Sequence, residues 1–382
     1  MATAPARLRL ERLRVAWLPR ALHPLAWWIW ALGLLIAASR TTNPLLLLLT
    51  LAVLALVVVN RRGEAPWARA FRYYLVAALV VIVIRVIFQS IFTGLPAPGS
   101  HLLFTLPRIP LPHWYAGVRI GGPVTLEGTL SALTGGLRLG TMLCCVGAAN
   151  ALANPRRALR LLPGALYELG TAVVVAITLA PQMIESVQRV ARARRLRGGG
   201  QSGLRSLRAI AIPVVADALD RSLLLAAAMD SRGYGRVGEV APQSRRLTAA
   251  LMVLGMFGLC LGCYGLLGGS GSRLLGLPAL ALGALLCGGG LVLGGRRVQR
   301  SRYRPDPWLA PEWIVAGSGL LTAVMLYLST GYRAADLNPS FYPLSFPPLP
   351  VVPALAILLA ALPACIAPPP EPARAVKIAS VA

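Results

Sequence analysis

A succession of apolar runs, each near the roughly 20 residues that carry a helix across a bilayer, decides what this chain can fold into. They occupy 25–39, 45–59, 73–93, 126–151, 163–182, 247–268, 274–294, 313–330 and 349–366. In 382 residues, 56% are hydrophobic and only 13% charged, with mean hydropathy +0.67. That exceeds what one soluble core needs, so the expected fold is an all-α, polytopic membrane helix bundle in the cell membrane.

The net charge of +25 comes almost wholly from arginine, since of 38 basic residues only Lys377 is a lysine. These arginines sit in short connections between apolar runs, which is the positive-inside pattern that orients membrane helices. No nucleic acid partner is expected, because no reading module accompanies the charge. Arg7, Arg9, Arg12, Arg14 and Arg20 precede the first run, and no small-residue cleavage site follows. A retained first helix with a cytosolic basic arm is therefore expected.

Loop 60–72 carries Arg61, Arg62, Arg69 and Arg72 and belongs inside. Loop 94–125 is rich in proline and glycine, holds only Arg108 and Arg119, and belongs outside. Four spans return the chain to the cytosol at Asn154-Pro155-Arg156-Arg157. A fifth at 163–182 would put the arginine-dense stretch 189–208 outside. Glu168, Pro163-Gly164 and the turn Pro181-Gln182 favour a helix lying along the cytosolic face instead. Spans 247–268 and 274–294 then form a hairpin, and loop 295–311, with Arg296, Arg297, Arg300, Arg302 and Arg304, falls inside. Eight crossings satisfy the charges. The organisation is an arm 1–24, four spans in 25–153, a cytosolic coupling region 154–246, four spans in 247–367, and a tail 368–382. With Pro368-Pro369-Pro370, that tail is expected to be disordered.

Residues 183–236 are where function should reside. From Leu207, apolar residues Ile210, Val214, Ala218, Leu219, Leu223, Ala226 and Met229 recur at three- and four-residue steps, one face of an amphipathic helix. Pro213 should divide it into a short and a longer helix. Two arginine-glycine signatures, Ala193-Arg194-Arg195-Leu196-Arg197-Gly198 and Ala228-Met229-Asp230-Ser231-Arg232-Gly233-Tyr234, each end a helical run. A glycine there accepts the left-handed conformation that closes a helix, and arginine suits the negative end of the dipole. That explanation is purely structural. Two such ends, with arginines at 197 and 232 in one insert between membrane halves, also fit a pair of helix tips that dock into a partner. Small Ala193, Ala228 and Ser231 let each tip enter a groove, and Arg197 and Arg232 present planar guanidiniums to carboxylates or carbonyls.

Here the chain resembles the transmembrane T component of energy-coupling factor (ECF) transporters, which include the cobalt-type permeases. The family pattern is two Ala-Arg-Gly motifs at the ends of cytosolic coupling helices. Ser231-Arg232-Gly233-Tyr234 matches the second, with serine for alanine, and Leu196-Arg197-Gly198 the first, with leucine for alanine. His23-Pro24 and Pro181-Gln182-Met183-Ile184-Glu185 also resemble family features. The resemblance covers about 20–240 and leaves the four C-terminal spans unaccounted for. It implies a non-catalytic scaffold that links a substrate-binding membrane S component to two ABC-type ATPase subunits. Ala193, Arg197, Gly198, Ala228, Ser231, Arg232 and Gly233 would be its ATPase contacts.

Other chemistry finds little support. A Walker A loop needs Gly-Lys-Ser/Thr, and Val376 precedes the single lysine. Gly198-Gly199-Gly200-Gln201-Ser202-Gly203 fits G-x-G-x-x-G but lacks the strand a dinucleotide site requires. His23, His101 and His113 are far apart, with only Glu127 near the last two. Cys260 and Cys263 have no second ligand pair, and all six cysteines read as packing residues. No metal or cofactor is expected. Asp217 and Asp220 should pair with Arg221 or Arg208 rather than do acid-base work. Arg85 and Arg138, inside spans, either contact an S component or snorkel and pair within the bundle. The alternatives are a self-contained secondary transporter or channel, which should show inverted repeats, and a membrane enzyme, which should show acidic metal ligands.

Overall fold

A computed structural model describes residues 19–63, 70–92, 100–107, 121–154, 157–158, 167–197, 204–234, 242–267, 273–295, 308–342, 344 and 346–369. Among the described residues the regular structure is helical apart from one two-stranded antiparallel pair, β1 (Leu102–Thr105) with β2 (Pro123–Thr125). It divides into two compact units, 1–158 with 305–382, and 159–304. Among the described residues seven helices are long and apolar enough to cross a bilayer, and two shorter apolar helices accompany them.

The first unit opens with α1 (Pro24–Ser39) and α2 (Pro44–Arg61), and the same device starts both. A polar side chain accepts from a backbone N–H at the N-cap, His23 Nδ1 from Leu25 at 3.3 Å and Asn43 Oδ1 from Leu45 at 3.0 Å. A proline follows at the first helical position, where its missing N–H costs nothing. His23-Pro24 is thus a helix start. Next come α3 (Phe71–Ile91) and α4 (Leu126–Leu152), an antiparallel pair. Glycines of α4 admit its partner: a methyl group on Gly140 would lie 3.1 Å from Ala78 Cβ, and one on Gly147 2.5 Å from Tyr74 Cγ. Small residues at such contacts are how membrane helices approach closely.

The unit closes with the C-terminal helices α9 (Ala310–Tyr332), α10 (Ala334–Leu337), α11 (Val351–Leu359) and α12 (Leu362–Ile366). Helix α9 runs parallel to α1, and a side chain on Gly33 or Gly319 would collide with the other helix's backbone. At their shared N-terminal end the fully buried Glu312 carboxylate meets Arg20 Nη1 at 2.7 Å and accepts from the Leu309 N–H at 3.1 Å. Farther along, Trp30 Nε1 donates to Ala360 O (3.0 Å), and Thr322 Oγ1 to Ala356 O (2.7 Å). These helices, which the resemblance left unaccounted for, form part of the first unit's core. The span expected at 349–366 is broken after Leu359. Pro363 has no N–H and its ring crowds the carbonyl four residues back, so the helix restarts rather than continues.

The second unit holds α5 (Tyr167–Leu196), α6 (Leu204–Asp230), α7 (Pro242–Leu267) and α8 (Arg273–Gly295). As expected, α7 and α8 form a hairpin, closed by glycines facing small or backbone atoms: Gly255 to Cys287, Gly258 to Gly283, Gly262 to Leu280, Gly265 to Gly276.

Two expected proline breaks do not occur. Pro181 lies inside one continuous 30-residue helix and Pro213 inside one of 27. A proline removes a single intrahelical donor, and the long helix-forming runs on either side outweigh that loss. The surface helix expected at 163–182 is therefore the first half of α5. By length and composition its Leu169–Leu196 portion could cross a membrane. The cysteines also differ from expectation: Cys144 and Cys145 are buried packing residues, whereas Cys260, Cys263 and Cys365 are exposed. The expectations for the arm before residue 19, for the arginines of 296–304, for the glycine run 198–203, and for the tail beyond Pro369 lie outside the described residues.

Candidate coupling helices

Helices α5 and α6 meet at one polar crossing. Ser186, buried on α5, donates its hydroxyl to Asp217 Oδ2 on α6 at 2.7 Å. Arg221, one turn along α6, gives Nε to Asp217 Oδ1 at 3.1 Å and Nη1 to Gln182 Oε1 at 3.4 Å. Ser186 above all, then Arg221, holds the Asp217 carboxyl below the ordinary carboxylate range. The Asp217–Arg221 pairing is the one expected from sequence. Ser186 was missed, although Gln182 and Ser186 repeat on α5 the four-residue spacing of Asp217 and Arg221.

The pairing order fixes the sense of the crossing. Residues 186 and 217 pair, and 182 pairs with 221, so rising numbers on α5 meet falling numbers on α6. The pair is antiparallel, with Val214 also buried against it. Of the face expected on α6, Ile210, Val214 and Ala218 are covered, whereas Leu219, Leu223 and Ala226 are exposed, and Leu219 and Leu223 join Ile212 and Val215 in an exposed apolar stripe.

Two helix ends follow from this geometry. At 1.5 Å per residue, Arg197 lies roughly 16 Å past Ser186, and Arg232 roughly 22 Å past Asp217 in the opposite direction. The expected contact residues are thus gathered into two groups at opposite ends of the hairpin.

The α6 end is closed by its glycine. Gly233 has φ 76, its N–H donates to Asp230 O at 2.9 Å, and the Tyr234 N–H reaches back to Met229 O at 3.0 Å. This is the Schellman arrangement, which needs a left-handed residue just past the last turn. Ser231 Oγ caps the Ala228 carbonyl at 3.0 Å. The effect is to turn the chain sharply and leave Arg232 exposed at the tip, with Ala228 and Ser231 exposed beside it. The α5 end closes with a tighter turn, Arg197 N–H to Arg194 O at 3.1 Å. Ala193, Leu196 and Arg197 are exposed there, and Gly198 lies outside the described residues.

The remaining residues singled out from sequence lie elsewhere. Arg138 donates Nη2 to the Ser39 carbonyl, an intrabundle partner. Arg85 lies against Gly135. His101 is not merely solvated, because its Nδ1 sits 2.9 Å from Glu127 Oε1 and its backbone N–H donates to the same carboxylate at 3.0 Å. Among the described residues no group of three or more His, Cys, Asp and Glu could hold a metal ion. Helix α5, not a strand, precedes the glycine run at 198–203.

Set against known protein families, residues 17–243 match the family model described as CbiQ, cobalt transport protein. A comparison with curated proteins found no match.

Proposed function

The chain belongs to the cobalt transport protein family (CbiQ), a multi-pass transport component of the cell membrane, and from that premise we propose that it is the T-component scaffold of an ECF-type ABC importer. In this reading α5 and α6 are coupling helices on the cytosolic side. Arg197 and Arg232 each dock into one of two partner ATPases, and a membrane S component captures the substrate. The family's description points to cobalt as the cargo.

The observation that carries the proposal is the pair of exposed arginine tips on opposite sides of one crossing. Two tips pointing apart suit two partners. Closure of an ATPase pair would move both ends of a lever whose fulcrum is the Ser186–Asp217 contact. The exposed stripe Ile212, Val215, Leu219 and Leu223 gives the S component an apolar surface to rest on. A cytosolic position for α5 is supported by Arg189, Arg192, Arg194 and Arg195 in its second half, on the positive-inside argument.

Co-purification from native membranes tests this. Truncating a charged side chain that is hydrogen-bonded in an interface typically costs about 2 kcal/mol or more. Arg232→Ala and Arg197→Ala should therefore each weaken ATPase association by at least roughly thirtyfold. The double Arg197→Glu, Arg232→Glu chain should retain none. Unchanged association in the double variant overturns the proposal.

A further inference from the structure

Helix α3 is the least covered of the first unit's membrane-length helices: 6% of its apolar window is buried, against 56% for α4. Its outward side carries Val76, Leu79, Val83, Ile84, Ile87 and Phe88, all exposed. Two charged residues interrupt this surface. Arg72 stands in the first turn, whereas Arg85 lies 14 residues past Phe71, where the helix begins. At 1.5 Å per residue that is roughly 21 Å from one end of the helix and 9 Å from the other.

The antiparallel α4 meets Arg85 with Gly135 and Gly136. A methyl group on Gly135 would stand 3.0 Å from Arg85 Nε and 3.3 Å from Nη2, so the guanidinium lies close along this bare glycine of the neighbouring helix. The contrast with Arg138 is direct. That arginine, on the facing helix, bonds the Ser39 carbonyl, while among the described residues no oxygen accepts from Arg85, which remains exposed. A charge at such depth is costly and marks a functional contact, with a partner group to offset it.

We propose that Arg85 anchors a transmembrane helix of a partner subunit, which packs against the exposed side of α3 beside Arg85 and supplies a membrane-buried aspartate or glutamate to the guanidinium. This rests on the reading of the chain as one subunit of a multicomponent importer, and it assigns the partner's contact to the outer half of α3 and α4. A carboxylate is the required chemistry because it returns both charge neutrality and hydrogen-bond acceptors to a planar five-donor group.

The test places a benzoylphenylalanine in place of Phe88, one turn from Arg85 and exposed, in the full chain expressed in its native membrane. Irradiation should give an adduct with a transmembrane segment of another protein that carries an aspartate or glutamate within a turn of the attachment point. Polar contacts between membrane helices span about 0.6 to 1.7 kcal/mol, so Arg85→Ala and Arg85→Gln should each lower adduct yield roughly three- to twentyfold. Arg85→Lys should keep most of it. Exchanging the charges, with Arg85→Glu here and arginine for the partner's carboxylate, should restore it. Adducts only with lipid or with a second copy of this chain, a segment without a carboxylate, or an unchanged yield in both neutral variants overturns the inference. The two readings fail separately. ATPases that co-purify with a chain giving no helix adduct remove only the Arg85 contact. An adduct in a chain that binds no ATPase removes only the coupling role.

Discussion

The helices of the first unit and the α5–α6 pair of the second are held in opposite ways. In the first unit, side chains reach across to another helix's backbone. Trp30 bonds Ala360, Thr322 bonds Ala356, and Arg61 gives Nη2 to Ala364 O at 2.7 Å. A buried ion pair, Arg20–Glu312, ties the start of the chain to its far end. In α5–α6 the bonds join side chains at one level, and the helix ends on both sides are exposed. Backbone carbonyls do not change rotamer, so the first arrangement specifies a single packing. One polar crossing leaves two long arms able to tilt. The scaffold role proposed for the chain, which stays in the membrane while it transmits motion, needs both.

The comparison breaks most readily at Glu312. Breaking a buried ion pair costs about 3–5 kcal/mol, and here it also takes the acceptor from the His23 and Leu309 N–H groups. Glu312→Ala should therefore lower the thermal midpoint of the detergent-solubilised chain by a wide margin. An unchanged midpoint would show that the first unit is not the rigid part. Gly233→Ala comes next. A Cβ in the left-handed region costs about 1–2 kcal/mol, so the last turn of α6 should fray, which faster amide exchange at 228–232 would report, and ATPase association should weaken. The global midpoint should not move.

Asp217→Asn should have the smallest effect, under about 1 kcal/mol, because the Arg221 pair is partly solvated. It sharpens the comparison through pH. The native carboxyl titrates below its unfolded value, so its contribution is present above the ordinary carboxylate range and is lost as pH falls through the lowered native value. Amide exchange around Ser186 should accelerate in acid in the native chain, and Asp217→Asn should abolish that acid dependence. An equal acid response in the variant would mean another group governs the crossing.

Much of this was legible in the chain itself. Apolar runs of membrane length determined an all-α bundle because an unbroken run of about 20 apolar residues spans lipid as a helix, which satisfies its own backbone. Glycine after Ser231-Arg232 determined a closed helix end, since the left-handed position admits few other residues. The polar-proline pairs His23-Pro24 and Asn43-Pro44 start helices for equally local reasons, which the structure brought out. Only the tertiary structure decided that α5 and α6 run unbroken through Pro181 and Pro213, because a proline's cost is local while the helix that absorbs it is long. It alone decided that Ser186 meets Asp217, that Glu312 meets Arg20, and that α9 to α12 belong to the first unit's core. Contacts between residues almost 300 positions apart leave no periodicity in the sequence. They arise where two surfaces happen to fit, and the glycines that permit the fit look alike until the facing helix is known.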